Sequence, residues 1–156
     1  MDIISYVKNI FQVEVDEINR VKDRIGKEVE ECIKLILETK GKVVITGVGK
    51  SGHIGKKMAA TFASTGTLTI FMHSTEGLHG DLGMITSDDI VMLISKSGES
   101  PEIKVLIPLI NNFGNLLIGM VGNTESFLAK QANLMLNTTV EKEACPIKLA
   151  PTSSTT

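Results

Sequence analysis

The chain has little thiol chemistry to offer: its two cysteines, Cys32 and Cys145, lie far apart, and neither belongs to a Cys-x-x-Cys pair. A zinc finger or dithiol redox motif is therefore excluded, and two reduced, buried thiols are expected. No apolar run reaches membrane-spanning length. The opening MDIISYVKNIF carries an acid at Asp2 and lacks an uninterrupted apolar core, so a secretory signal is not expected, and a cytoplasmic location follows. Charge of one sign is also missing. The formal net charge is -2, with both signs scattered along the chain, which provides no basic field for nucleic acid or for an anionic membrane, and neither is an expected partner. Internal repeats, linkers and low-complexity segments are absent too, apart from the polar end PTSSTT. What is present is a globular mixture of 156 residues, 42% hydrophobic and 22% charged, the size of one well-buried domain spanning residues 1–156.

Two periodicities divide the chain. From Ile18, apolar residues at Val21, Ile25, Val29, Cys32, Ile33 and Ile36 recur at steps of three and four, which predicts an amphipathic helix ended by Lys40-Gly41. A shorter helix is expected over Ile3 to Val15, where Ile4, Val7, Ile10 and Phe11 could pack on a partner subunit. After this helical segment, residues 1–40, comes an α/β core, residues 41–156. Here KVVITG, TLTIFM, IVMLIS, NLLIGMVG and NLMLNTTV are short apolar runs rich in β-branched residues and bounded by turn residues, as five buried strands would be. Helix-compatible stretches at Ile54 to Ser64, Pro101 to Asn112 and Ser126 to Gln131 separate them. The expected fold is a three-layer, doubly wound α/β domain: a five-stranded parallel sheet with right-handed crossovers and helices on both faces.

Two loops in this pattern suit an anion. The first strand runs through Gly47-Val48-Gly49-Lys50-Ser51-Gly52 into a helical stretch, a G-x-G-x-x-G in its proper context. Backbone N–H groups and a helix N-terminus meet there. A P-loop would require glycine five positions before Gly49, where Val44 stands, so nucleotide hydrolysis is disfavoured. A dinucleotide site would require an acid at the end of the second strand, which instead reads Met72-His73-Ser74, with Glu76 beyond it; NAD is poorly supported. The second loop, Ser95-Lys96-Ser97-Gly98-Glu99-Ser100, follows a strand and precedes a helix opened by Pro101. Helix capping by Ser100 is the plainer reading, but capping needs one hydroxyl, and several could converge with Ser51 at the carboxyl edge of the sheet. A phosphate site fits the pair of loops better.

The segments GVGKSGHIGKKMAATFASTGT, LHGDLGMIT, ISKSGESPEI and KEACPIKLAPTSSTT closely resemble the SIS (sugar isomerase) domains of the arabinose-5-phosphate isomerase family, over nearly everything after Gly41. The resemblance implies interconversion of D-ribulose 5-phosphate and D-arabinose 5-phosphate on the way to Kdo, a sugar of lipopolysaccharide and some capsules, with no metal and no organic cofactor. It implies a homo-oligomer, either a dimer or a tetramer. Position by position, it makes Ser51, Ser95, Ser97 and Ser100, with Gly49, the phosphate ligands, and it matches Lys50, His79, Glu102 and Glu143 to polar residues implicated in activity. Thr152 and Ser153 would begin a helix that touches the sugar. The family continues past this point into helices with a Ser-His-Pro-Gly-Gly-like motif and often paired CBS domains; neither is expected within residues 1–156.

Moving a proton between adjacent carbons through an enediolate requires a base and a group to stabilise the oxyanion. Glu143 or Glu102 is the expected base, with a pKa raised by burial, while His79 would assist ring opening and Lys50 would support negative charge. Each has a plainer alternative. Glu102 could simply favour a helix dipole, Glu143 could be a solvated charge beside Lys142, and His79 could bond within its glycine-rich turn. His53 and His73 are expected to be structural. A phosphosugar-binding module without catalysis is the competing function.

Overall fold

A computed structural model describes residues 2–147 and 149–156. Its helices and strands are α1 (Ile3–Asp23), α2 (Lys27–Glu38), β1 (Val43–Gly47), α3 (Gly49–Ser64), β2 (Thr69–His73), α4 (Ser74–Leu78), β3 (Ile90–Ser95), α5 (Pro101–Asn112), β4 (Leu116–Val121), α6 (Phe127–Gln131) and β5 (Leu134–Asn137). Short 3-10 turns occupy Asp81–Met84 and Ser153–Thr155. All five strands are parallel, in the order β2-β1-β3-β4-β5.

The continuous apolar runs are explained by burial on both faces. Val43 and Ile45 of β1, with Ile90, Met92 and Ile94 of β3, pack against α2 and α3 through Cys32, Ala59 and Phe62. The alternate residues Val44, Val91, Leu93 and Leu117 pack against α5 and α6 through Ile103, Leu106, Ile107, Ile110 and Leu128. This gives the expected three layers. At the amino end of β3, the Asp89 carboxylate accepts from the Lys42 N–H (2.8 Å), from Lys42 Nζ (2.6 Å) and from the Thr86 N–H (2.7 Å). Burial pushes this carboxyl up, but those hydrogen bonds outweigh burial and hold it below its usual range.

The first two helices differ from expectation. The predicted break near residues 15–18 does not exist: α1 runs through it, and the chain turns instead at Arg24-Ile25-Gly26, with Gly26 as the N-cap of α2. An apolar period that continues across a turn carries no mark of the turn itself. Cys32 is buried as expected, whereas Cys145 is only half-buried. Among the described residues no helix is long and apolar enough to cross a membrane.

Candidate functional site

In a doubly wound sheet of this order, the connections leaving β1 and β3 go to opposite faces, which opens a crevice at the carboxyl ends of these neighbouring strands. Gly47 of β1 pairs with Ile94 of β3, so the Gly49–Gly52 turn and the Ser95–Ser100 turn leave the sheet side by side. The two turns that look like anion loops in the sequence share one rim.

The local chemistry of both turns leaves donors unused. The N-cap of α3 is Val48, which has no side chain able to cap, so among the described residues no side chain caps the N-terminus of this 16-residue helix. Gly52 allows this helix to start flush on the strand, since a Cβ there would lie 3.0 Å from the Gly47 carbonyl oxygen. In the second turn, Ser95 Oγ accepts from the Gly98 N–H (2.9 Å) and Ser97 Oγ from the Glu99 N–H (3.3 Å). Gly98 has φ +64°, and a Cβ there would meet Ser126 Oγ at 2.1 Å, so glycine is required. Ser100 takes the N-cap position of α5 but makes no capping bond. Its hydroxyl is buried without a hydrogen-bond partner among the described residues. The plain capping reading of Ser100 thus fails on geometry.

Above the rim lies a cavity of about 500 Å³. Lys50, Ser51, Ser95 and Lys96 bound it on the strand side, Ile18 and Val21 of α1 with Ile25 of the following turn on another, and Ser153 to Thr156 on a third. Ser153 Oγ is a second buried hydroxyl without a partner among the described residues. Helix α1 is fastened over this space by a polar latch: buried Glu17 accepts from Arg20 (2.7 Å) and from the Glu141 N–H (2.7 Å), and Arg20 also reaches the Glu141 carboxylate (2.6 Å).

Glu143 is tied into the same wall. Its carboxylate accepts from the Thr152 N–H (2.7 Å), the Thr152 hydroxyl (3.0 Å), the Ser154 N–H (3.3 Å), the Ser154 hydroxyl and Lys96 Nζ. Burial pushes this carboxyl up, but the bonds from Lys96, Ser154 and Thr152 outweigh it and hold it down to about 2. The expectation of a raised pKa is therefore corrected for Glu143: local donors decide, not burial.

The remaining sequence-selected residues are more scattered. Ser97 is exposed, and Gly49 (φ +56°) is the exposed first residue of α3; both sit in the two turns but off the cavity wall. Glu102, half-buried in the first turn of α5, is likewise off the wall. His79 is exposed at the C-terminus of α4, away from the cavity. Thr152 occupies the N-cap position of the Ser153–Thr155 turn without a side-chain capping bond, and that turn is a single 3-10 turn where a helix start is expected. His53 is exposed on α3, and His73 Nδ1 accepts from the Thr75 N–H (3.3 Å) as the N-cap of α4, a structural role. Sequence reasoning missed Lys96, although a cation inside a serine-rich anion loop is a visible signal, and it missed Glu17, for which an acid among many acids gave none.

The SIS domain family matches residues 36–156. The chain belongs to that family. As a SIS domain it is 50% identical over 156 residues to arabinose 5-phosphate isomerase KdsD of Pseudomonas aeruginosa, covering 100% of this chain and 48% of that protein. It is 47% identical over 148 residues to arabinose 5-phosphate isomerase GutQ of Escherichia coli K12, covering 95% of this chain and 46% of that protein. The chain thus spans about half the length of the curated relatives it matches. A solved structure from E. coli CFT073, in complex with arabinose 5-phosphate, superposes with a TM-score of 0.94 at 44% identity, covering 99% of this chain and 82% of that one. The SIS fold extends further: Vibrio vulnificus NanR, complexed with ManNAc-6P, has a TM-score of 0.82 at 16% identity over 96% of this chain and 55% of that one, a likeness of fold alone.

Proposed function

We propose that this SIS domain is the sugar-isomerising part of an arabinose 5-phosphate isomerase, interconverting D-arabinose 5-phosphate and D-ribulose 5-phosphate for Kdo formation. The observation that carries the reading is the convergence of the Ser51 and Ser95 turns on one cavity at the β1/β3 switch point. Two helix N-termini without side-chain caps and the unpartnered Ser100 hydroxyl supply donors matched to a phosphate dianion. Ser51, Ser95, Ser97 and Ser100, with the Gly49 turn, hold the phosphate, and Thr152 and Ser153 face the sugar. The relatives named arabinose 5-phosphate isomerase, and the arabinose 5-phosphate complex of the E. coli protein, support the same substrate.

In this reading the proton passes between C1 and C2 through an enediolate, with no cofactor. Lys50, on the cavity wall, stabilises the developing oxyanion. Glu102 is taken as the base, because the oxygens of Glu143 are already held by Lys96, Thr152 and Ser154. Glu143 then serves to position the Thr152–Ser154 wall. The protein works in the cytoplasm as a homo-oligomer, dimer or tetramer, through the exposed apolar stripe of α1.

The test is conversion of D-arabinose 5-phosphate to ribulose 5-phosphate in the presence of a chelator. Conversion is expected, and Glu102→Gln should slow it by about a hundredfold or more. Saturable binding without conversion would contradict the reading and mark a phosphosugar-binding module instead.

A further inference from the structure

We propose that Lys96 grips the substrate's phosphate monoester and that Glu143 competes with the phosphate for the same ammonium group; this rests on the phosphosugar reading above. Lys96 springs from the anion loop itself, between Ser95 and Ser97. Its backbone is pinned, because its carbonyl accepts from the Gly122 N–H (3.1 Å), so the side chain starts from a fixed base. That side chain lines the cavity with Ser51 and Ser95, is 51% exposed, and ends on Glu143, whose side chain is only 11% exposed.

The two ends of this ion pair are unequal. Glu143 retains the Thr152 and Ser154 N–H groups and both their hydroxyls when the ammonium leaves, so its burial stays compensated. Lys96 has Glu143 as its one ion-pair partner among the described residues, and its flexible stem lets the ammonium move. A phosphate dianion in the loop carries more charge than the carboxylate and offers three acceptor oxygens. The other charged groups around the cavity are Lys50 of α3 and Lys22 and Glu17 of α1. None of them is in both the loop and the Glu143 pair. Among the described residues Lys96 alone links the phosphate rim to the Thr152–Ser154 wall, so phosphate binding should loosen that wall.

The experiment is a thermodynamic cycle on the full chain, with inorganic phosphate as the probe, followed by phosphorus NMR titration at neutral pH. Lys96→Met should weaken phosphate binding about tenfold or more, the scale of one charge-assisted hydrogen bond. Glu143→Gln should tighten it several-fold when Lys96 is present and leave it unchanged in the Lys96→Met background. Lys96→Arg should restore most of the affinity. Unchanged binding in Lys96→Met, or an equal effect of Glu143→Gln in both backgrounds, would overturn the proposal. Turnover of arabinose 5-phosphate by the same variants separates the two readings. An intact cycle without conversion sinks the isomerase reading alone, whereas conversion with an additive cycle sinks this one alone.

Discussion

At the scale of single residues, unused hydroxyls are the most informative feature. A buried polar group without a partner lowers stability, and among the described residues the structure keeps two such hydroxyls, Ser100 in the second turn and Ser153 in the C-terminal wall. Ser100→Ala should therefore leave the melting temperature unchanged or raise it by a few degrees, while phosphate affinity falls. A melting curve and a phosphate titration on the same sample check both halves; a loss of stability would show that the hydroxyl has a structural partner. Glu143 makes a second, pH-dependent prediction. Its folded pKa of about 2 lies below the ordinary 4.5, so the stability it contributes is complete above 4.5 and is lost as pH falls from there toward 2. The urea-midpoint gap between wild type and Glu143→Gln should thus narrow on acidification from pH 5 to 3. A constant gap would remove the hydrogen-bonded carboxylate from the account. The sequence could not reveal this sign, because Lys96, Thr152 and Ser154 meet Glu143 only through the fold.

At the scale of elements, the strands were legible as short continuous apolar runs, buried on both faces, and the longer helices by their period, while the carboxyl-end loops follow directly from strand order. Short or exposed elements were not. Helix α4 and the Asp81–Met84 turn have too few residues to show a period, and the α1/α2 junction hides inside a continuous one. Helix α1 is lightly secured for its 21 residues: Glu17 is its one buried residue. The latch from Glu17 to Arg20 and to the Glu141 N–H should matter accordingly. Glu17→Leu removes the acceptor of the Arg20 guanidinium and of the Glu141 N–H and should cost about 0.5–1.5 kcal/mol. Urea denaturation measures that cost, and faster tryptic cleavage at Arg20 or Arg24 would report the freed helix. No change in either would mean that α1 is held by packing alone.

At the scale of the whole molecule, two properties follow from the same layout. An amphipathic helix with Phe11 65% exposed and Ile3, Ile4, Val7 and Ile18 also uncovered is marginal on its own and gains stability by burying that stripe. On the homo-oligomer proposed above, Phe11→Asp should shift the sedimentation coefficient toward the monomer; an unchanged value would place the contact elsewhere. The other property is the clasp itself, made by turns far apart in sequence and brought together by the β1/β3 crossover. Its direct measurement is calorimetric titration of D-arabinose 5-phosphate into wild type, Ser51→Ala and Ser100→Ala. Each variant should bind roughly tenfold more weakly, the worth of one hydrogen bond to a charged group, and unphosphorylated arabinose should bind to none of the three. Wild-type affinity in either variant would contradict a phosphate held jointly by the two turns.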